Sequence, residues 1–327
     1  MKPQVIVIGS ANTDLVVRVP ELPRPGQTMA GGRFQIVAGG KGANQAVAAA
    51  RAGARVTFVA NIGRDHFGDG ALKGLRCEGI DTRYVVRSRT EPSGVALILV
   101  DRSGENLIGV ARGSNDELLP EHVDAVQSAI RAARCLVVQL EIPLATVRRA
   151  IELAARYQVP VLLNPAPARL VPARLLRQAA FLTPNETELS ALTGLPADRK
   201  AQVEAAARQL HALGVKHVLA TCGARGVCWC SLTGTRWFPA PPVQAVDTVG
   251  AGDCFSGTFA AAVAAGKPLE QAIHLAVTAA AICVTGPGAQ PSLPTLREIL
   301  RAQSSRQSVR AVRRPARGSR GQGRPRA

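Results

Sequence analysis

Short apolar runs without polar alternation recur along the chain, and longer alanine-rich segments lie between them. Runs of four or five apolar residues are typical of strands in a parallel sheet that is covered on both faces. Strands that alternate with helices form right-handed crossovers, so the pattern predicts one doubly wound α/β unit. The predicted strands span residues 5–8, 56–60, 136–139, 161–164, 181–183 and 218–221. The predicted helices span residues 43–52, 67–78, 123–133, 144–156, 186–192 and 203–213.

Two stretches interrupt this rhythm, and both contain strand-like pieces. Residues 13–38 hold such pieces at 15–19 and 34–37, and residues 84–111 hold them at 84–86, 95–100 and 107–111. Paired together, they would form a small sheet that acts as a lid or as a partner surface, whereas unpaired they would be two peripheral hairpins. Further along, residues 227–231 and 236–238 predict a hairpin, followed by helices at 252–265 and 269–284.

The rest of the composition excludes several classes of protein. No apolar run approaches the roughly 20 residues of a membrane span, and we expect no membrane association. The stretch after Met1 is too short for a secretory signal. Seven scattered cysteines without a CxxC pair favour reduced thiols, buried or half-buried, in a cytoplasmic protein.

Positive charge is concentrated at the end of the chain. The 40 Lys and Arg residues exceed the 23 Asp and Glu residues, which gives a formal charge of +17. Residues 304–327 contribute eight arginines and no acid, and they are too polar to order themselves, so we expect a folded domain at 1–303 and a disordered basic tail at 304–327. Either the tail is a solvated extension, or it binds nucleic acid through charge alone, since it has no aromatic residue for stacking.

Polar and glycine residues follow the predicted strands, at the edge where open α/β sheets bind ligands. Asn12 and Asp14 follow the first strand and suit a polyhydroxylated ligand, although an Asx turn would use the same residues. The glycine-rich stretch 38–45 lets backbone approach a ligand closely, with Asn44 in the first turn of the next helix; a plain tight turn is the alternative.

The strongest local signal is the stretch 245–255. Gly250, Ala251 and Gly252 open a helix there, so that free N–H groups and the helix dipole form an anion site. Asp253 among these donors is either a helix cap or the group that takes a proton from a hydroxyl attacking phosphorus. The dipole predicts that Asp253 stays ionised and is therefore a weak base.

Two more strand ends carry candidate residues, while both common phosphate-binding glycine motifs are missing. Asn185 and Glu188 lie at a helix start, where they suit water-mediated magnesium binding or helix capping. The segment 221–226 suits a turn beside a nucleotide, or a generic turn.

Together, these motifs resemble the ribokinase-like carbohydrate kinase family, which includes ribokinases, fructokinases and adenosine kinases. The resemblance covers residues 5–300 and rests on two signature stretches, 39–46 and 247–255. Further similar segments are 12–14, 139–141, 164–168, 183–188 and 288–292. It implies a family fold with a small β lid, a homodimer formed through that lid, and ATP-dependent phosphorylation of D-ribose at the 5-hydroxyl. A sibling sugar or nucleoside kinase is the nearest alternative, and a catalytically inactive sensor is disfavoured.

The resemblance also implies roles for individual residues. The ribose site would consist of Asn12, Asp14, Gly40, Lys41, Asn44 and Glu141, with Asp253 as the base. The amides of Gly250, Ala251 and Gly252 would hold the transferred phosphoryl group. ATP would lie along Asn185, Thr221, Gly223, Gly226 and Gly252, with Mg²⁺ near Asn185 and Glu188. A K⁺ loop would comprise Asp247, Val249, Cys283, Gly286, Gly288 and Ser292.

The chain departs from the family pattern in a few places. Cys254 follows the base, where small or hydroxyl residues are common. Gly286-Pro287-Gly288 makes the cation loop more constrained, and the basic tail has no counterpart.

Overall fold

A computed structural model describes residues 2–312 of the chain. Within these residues a large sheet of nine strands has the order β13-β12-β11-β10-β9-β8-β1-β4-β5. Its strands are parallel except for β12 and β13, which form the predicted antiparallel hairpin at one edge. The strands are β1 (Gln4–Ile8), β4 (Arg55–Ile62), β5 (Asp81–Arg87), β8 (Cys135–Val138), β9 (Val161–Leu163), β10 (Phe181–Leu182), β11 (His217–Thr221), β12 (Val227–Ser231) and β13 (Gly234–Phe238).

Helices cover both faces of this sheet, which confirms the doubly wound α/β fold. Successive residues of a strand point to opposite faces, so Val5 and Val7 join one apolar core while Ile6 and Ile8 join the other. The helices are α1 (Lys41–Arg51), α2 (His66–Cys77), α3 (Pro120–Asp124), α4 (Gln127–Ala132), α5 (Leu144–Arg156), α6 (Ala173–Leu176), α7 (Glu186–Thr193), α8 (Lys200–Ala212), α9 (Ala251–Ala264), α10 (Leu269–Cys283) and α11 (Leu296–Val312).

A separate small sheet stands beside the large one. Among the described residues it has four strands in the order β3-β2-β6-β7, drawn from both stretches that interrupt the α/β rhythm. The strands are β2 (Asn12–Arg18), β3 (Arg33–Gly39), β6 (Gly94–Val100) and β7 (Asn106–Ala111). The pairing of the two stretches into one sheet is therefore confirmed, and the alternative of two independent hairpins is wrong.

Two local predictions are wrong. Residues 84–86 were expected in the small sheet, but they belong to β5, which pairs with β4 at the edge of the large sheet. The helix predicted at 123–133 is instead α3 and α4, because the chain leaves the helical conformation at Val126. Helix α11 extends through residues 304–312, and the division into a folded domain at 1–303 and a disordered tail stays a prediction.

Three further predictions concern the tail, the thiols and the membrane. Residues 313–327 of the predicted tail lie outside the described residues. All seven cysteines are described and free; six are buried as expected, whereas Cys77 is exposed. No helix in residues 2–312 combines the length and apolarity that a bilayer span requires.

Candidate active site

The candidate site lies where the carboxyl ends of the parallel strands meet the first turns of α1 and α9. Ser10 follows β1, Glu141 follows β8, Asn164 follows β9 and Asn185 follows β10. Parallel strands end at a common edge, so residues distant in sequence come together there. Of these four, Glu141 and Asn185 are residues that the sequence predicted at this edge.

Asp253 occupies the centre of the site, in the first turn of α9. Its Oδ2 accepts a hydrogen bond from Asn44 Nδ2 at 3.0 Å, and its Oδ1 accepts one from Gln45 Nε2 at 2.8 Å. Both amides belong to α1, which approaches α9 closely at Gly257: a Cβ added there would lie 2.4 Å from the Gln45 carbonyl oxygen. Glycine at 257 therefore allows the two helices to bring base and amides together.

Burial raises the pKa of Asp253, although the positive charge of Lys41 and the hydrogen bonds from Gln45 and Asn44 oppose the rise. The helix dipole favours the ionised carboxylate, whereas desolvation opposes it because the carboxylate is enclosed by protein. A carboxylate with a raised pKa is a better proton acceptor.

The backbone before Asp253 forms the start of α9. Gly250 caps the helix with φ 79°, a left-handed conformation, and a Cβ there would lie 2.7 Å from the Ala289 side chain. The first-turn N–H groups have no carbonyl partner within the helix, as at any helix start. The Ala251 N–H makes only a long bond of 3.3 Å to the Thr248 carbonyl oxygen. The segment can thus present N–H groups and the positive end of the helix dipole to an anion.

Glu141 and Asn12 are held by neighbouring segments. Glu141 Oε2 accepts hydrogen bonds from Ser10 Oγ at 2.5 Å and from the Lys41 N–H at 2.9 Å. Asn12 Oδ1 accepts one from Asn115 Nδ2 at 2.7 Å. These hydrogen bonds use only some of the lone pairs of the Glu141 and Asn12 oxygens, so both side chains can accept further hydrogen bonds.

Asp14 faces the backbone between β3 and α1. A Cβ at Gly39 would lie 2.3 Å from either carboxylate oxygen of Asp14, and a Cβ at Gly40, which adopts φ 86°, would lie 2.6 Å from Asn12 N. Glycines at 39 and 40 therefore leave the space that Asp14 occupies and permit the sharp turn into α1.

The carboxylates and Lys41 influence one another. Burial, reinforced by Glu141 and Asp253, raises the pKa of Asp14 to about 6. Burial by itself would lower the pKa of Lys41, but the surrounding carboxylates, led by that of Asp253, raise it on balance. The site is thus a partly desolvated cluster of three carboxylates around one ammonium group, suited to holding several hydroxyls.

Asn185 and Glu188 form a reciprocal cap at the start of α7. Asn185 Oδ1 accepts from the Glu188 N–H at 2.8 Å, while Glu188 accepts from the Asn185 N–H at 2.9 Å and from Asn185 Nδ2 at 3.0 Å. The capping alternative is therefore present in the structure. Burial raises the pKa of Glu188, and the charge of Lys41 opposes this.

The donor set still fits a hydrated magnesium ion. Within residues 2–312 no group of three or more His, Cys, Asp or Glu residues forms a metal cage. Magnesium usually keeps several waters and uses one or two carboxylates together with substrate phosphates, so direct coordination by a protein cage is not needed. The buried Glu188 carboxylate accepts two hydrogen bonds and has lone pairs left for water.

Thr221, Gly223 and Gly226 lie next to Asn185. Thr221 forms a parallel bridge with Asn185, and its N–H donates to the Pro184 carbonyl oxygen at 2.9 Å. Gly226 has φ 91°, and a Cβ there would lie 2.0 Å from the Phe238 carbonyl oxygen. The end of β11 is therefore a tight turn, closed by the Cys222 N–H and the Gly226 carbonyl oxygen at 2.8 Å.

The predicted cation loop brings together two segments around Asp247. Its carboxylate accepts hydrogen bonds from the Val249 N–H at 3.0 Å and the Gly288 N–H at 2.9 Å. The Cys283 carbonyl oxygen accepts from the Gly286 N–H at 3.3 Å, and Ser292 Oγ donates to the Pro287 carbonyl oxygen at 2.8 Å. This concentration of carboxylate and carbonyl oxygens fits a hard cation.

Several side chains at the site were not predicted from sequence. Ser10, Gln139 and Asn164 each follow a strand, so the strand-end criterion would have found them. Gln45 lies inside a signature stretch, next to Asn44. Asn115 carries no local signal and reaches the site from the short 3₁₀ helix Gly113–Glu117, whereas Gln290, in the 3₁₀ helix Gln290–Ser292, lies inside the family-like segment 288–292. Gln290 Nε2 donates to Asn44 Oδ1 at 3.1 Å.

Known proteins are similar to this chain in sequence and in fold. The sequence profile of the pfkB family carbohydrate kinases matches residues 2–296. A ribokinase of Haemophilus influenzae is 42% identical over 301 residues, 92% of this chain and 98% of that protein. A deoxyribokinase of Salmonella typhi is 40% identical over 295 residues, 90% of this chain and 96% of that protein. The structure of Arabidopsis thaliana ribokinase complexed with ribose and ATP superposes with a TM-score of 0.86 at 35% identity and covers 92% of this chain and 99% of that one.

Proposed function

The chain belongs to the pfkB family of carbohydrate kinases, and from this premise we propose that it phosphorylates D-ribose at the 5-hydroxyl, with ATP as the phosphoryl donor. The observation that carries the proposal is the Asp253 carboxylate, buried at the start of α9 and held by two amides of α1. The similarity to a ribokinase solved with ribose and ATP supports the choice of both substrates.

The sugar would lie between the first turn of α1 and the small sheet. Asp14 and Glu141 accept hydrogen bonds from hydroxyls, while Asn12, Lys41 and Asn44 offer further polar contacts. Gly40 allows the backbone to approach the ring. Their half-buried cluster is suited to replacing the water shell of a small polyol.

The reaction is a transfer of the γ-phosphoryl group. Asp253 accepts the proton of the 5-hydroxyl, whose oxygen bonds to the γ-phosphorus while the bond to the bridging oxygen of ADP breaks. The N–H groups of Gly250, Ala251 and Gly252 stabilise the charge on the transferred group. The raised pKa of Asp253 favours the proton transfer.

The nucleotide would lie along the ends of β10 and β11, where Asn185, Thr221, Gly223, Gly226 and Gly252 are its proposed contacts. Asn185 and Glu188 would hold Mg²⁺ through water, and this ion neutralises phosphate charge when bound. The segments around Asp247 would hold K⁺ behind the start of α9, through Asp247, Val249, Cys283, Gly286, Gly288 and Ser292.

The small sheet is proposed to be both lid and dimer surface, because one face carries Asp14 beside the exposed Ile108 and Val110, and the opposite face carries four exposed apolar side chains. The strand register places Asp14, Ala96, Ile98 and Val110 on the face that carries the sugar residues. The opposite face carries Phe34, Ile36, Leu97 and Leu107, with exposures between 51% and 61%. A contiguous apolar face of this kind marks a protein interaction surface, and a second copy of the chain is the proposed partner.

A second candidate substrate is 2-deoxy-D-ribose, because the identity to a deoxyribokinase is almost equal to that to a ribokinase. The two sugars differ by one hydroxyl. A site that hydrogen-bonds this hydroxyl discriminates strongly against the sugar that lacks it.

The deciding experiment measures ADP release with D-ribose, 2-deoxy-D-ribose, D-fructose and adenosine, each with and without K⁺. We expect the highest kcat/KM for D-ribose. Turnover with ribose no higher than without sugar would refute the proposal, and a preference for 2-deoxy-D-ribose would reassign the substrate.

The role of Asp253 is tested by Asp253→Asn. We expect kcat to fall by at least about 100-fold, as for the removal of a general base. The exposed Asp198, changed to asparagine, is the matched control and should retain full activity. Near-normal turnover of Asp253→Asn would overturn the mechanism.

A further inference from the structure

Beneath Asp253 lies a chain of buried amide side chains, of which the proposed mechanism includes only the contact of Gln45 with the carboxylate. Gln45 and Gln139 are fully enclosed, and Asn164 is buried. Gln45 Nε2 donates to both Asp253 Oδ1 at 2.8 Å and Asn164 Oδ1 at 3.0 Å, and Gln45 Oε1 accepts from Gln139 Nε2 at 2.7 Å. Asn164 Nδ2 in turn donates to the Thr183 carbonyl oxygen at 2.9 Å.

The direction of every hydrogen bond in this chain follows from the charge of Asp253. An ionised carboxylate accepts hydrogen bonds and donates none, so Gln45 must turn its nitrogen toward Asp253. Gln45 Oε1 then faces Gln139, which must present its own nitrogen. The amide chain therefore matches an ionised Asp253 and opposes the effect of burial on its pKa.

This orientation leaves one polar atom without a partner. Among the described residues, Gln139 Oε1 is buried and accepts no hydrogen bond. It faces Gly9, where an added Cβ would lie only 2.1 Å away. Buried polar atoms rarely lack a partner, and here the orphaned oxygen results from turning the Gln139 nitrogen toward Gln45.

The amide at position 45 stands out from the rest of its helix. The following residues of α1, Ala46, Val47, Ala48 and Ala49, are buried and apolar. An apolar side chain at 45 would fill the same enclosed space but would leave Gln139 Nε2 and Asn164 Oδ1 without these partners. The amide of Gln45 satisfies both neighbours and also faces the carboxylate across from it on α9.

We propose that Gln45, oriented by Gln139, is a positioning residue that fixes the rotation of the Asp253 carboxylate and favours its ionised, proton-accepting form. The inference rests on the proposed role of Asp253 as the base. Gln45 is then the second amide donor to the Asp253 carboxylate, and Asn44 donates to the other carboxylate oxygen.

The test is Gln45→Leu, assayed with D-ribose and ATP across pH 5 to 9. Loss of one hydrogen-bond donor to a carboxylate raises its pKa, so the acid limb of kcat/KM should move up by about one pH unit. We expect kcat at pH 7 to fall about tenfold, while KM for ribose stays within about twofold, because Gln45 acts through Asp253.

Two further variants separate positioning from general stability. Asn61→Leu removes another buried amide, which donates to the Glu117 carbonyl oxygen at 3.1 Å. It should change the melting temperature without moving the acid limb. Gln139→Leu removes the orphaned oxygen and in exchange leaves Gln45 Oε1 without its donor, so it costs less than Gln45→Leu, and it should move the acid limb in the same direction but less. If Gln45→Leu does not fold, the shift of the acid limb in Gln139→Leu decides whether the positioning role is correct.

The outcomes distinguish this inference from the proposed function. If Asp253→Asn is inactive but a folded Gln45→Leu keeps the acid limb and kcat of the parent, the positioning role is wrong and the base assignment stands. The positioning role is also wrong if Gln45→Leu and Asn61→Leu lose the same fraction of kcat for the same drop in melting temperature. If Asp253→Asn is active, the proposed function itself fails.

Discussion

Replacing Asp14 by asparagine is expected to stabilise the free protein while it removes sugar phosphorylation. Asp14 is half-buried, and its neighbours Glu141 and Asp253 are also acids. These surroundings penalise its charge in the folded state, whereas the unfolded chain exposes it to water. Asparagine has nearly the same shape and carries no charge, so the penalty disappears.

The size of the effect follows from the pKa of Asp14, which burial and the neighbouring acids raise from 3.8 to about 6. Two pKa units correspond to about 3 kcal/mol, which solvent screening of a half-buried group reduces to about 1–2 kcal/mol. For an acid whose pKa is raised on folding, the penalty is absent below the unfolded pKa and complete above the folded one. The stabilisation should therefore be full at pH 8 and roughly half as large at pH 5.

The assay is urea unfolding of the parent and of Asp14→Asn at pH 5 and pH 8, without ligands. Asp198→Asn is the control, since the exposed Asp198 should give no difference at either pH. A difference that is absent at pH 8, or that favours the parent, would refute the electrostatic reasoning. In the kinase assay, kcat/KM for ribose should fall at least about 100-fold, because asparagine accepts fewer hydrogen bonds from hydroxyls.

Three further changes probe other parts of the structure. Gly39→Ala places a Cβ 2.3 Å from the Asp14 carboxylate, so KM for ribose should rise at least about tenfold while KM for ATP stays constant; equal effects on both would contradict this assignment. Gly226→Ala strains a left-handed turn and drives a Cβ to 2.0 Å from the Phe238 carbonyl oxygen, so KM for ATP should rise and the melting temperature should fall; unchanged nucleotide kinetics would exclude this turn from the ATP site. Leu97→Asp puts a charge on the outer apolar face of the small sheet and should shift the protein to monomers in analytical ultracentrifugation; an unchanged dimer would place the interface elsewhere.

Much of the fold follows from local patterns. The helix predicted at 144–156 coincides with α5, and all six predicted strands begin within one residue of the observed ones because unbroken apolar runs define buried strands well. Strand 84–86 was assigned to the wrong sheet although it was correctly predicted to be a strand. Its propensity does not encode its partner, since pairing depends on β4, which lies more than 20 residues earlier.

In the candidate site, too, only the residues with a local sequence signal were predicted. Asp253 and Asn44 were found because glycine-rich stretches at helix starts are recognisable in a short window of sequence. Asn115 and Gln290 lie in short 3₁₀ helices that do not begin with a glycine-rich stretch. Each reaches the site through a hydrogen bond to a residue that is 103 or 246 positions away in the sequence. No local window contains both partners of such a contact.

The sequence by itself determined the alternation of strands and helices, the sheet edge at which the polar residues lie, and the start of α9 that forms the anion site. These features depend on periodicity and on conformational preferences of neighbouring residues. Only the tertiary structure decided that Asp253 has a raised pKa, that Gln45 holds it, and that Asp14 shares its charge cluster. Desolvation and Coulomb interactions depend on distances in space, and folding sets those distances among segments far apart in the chain.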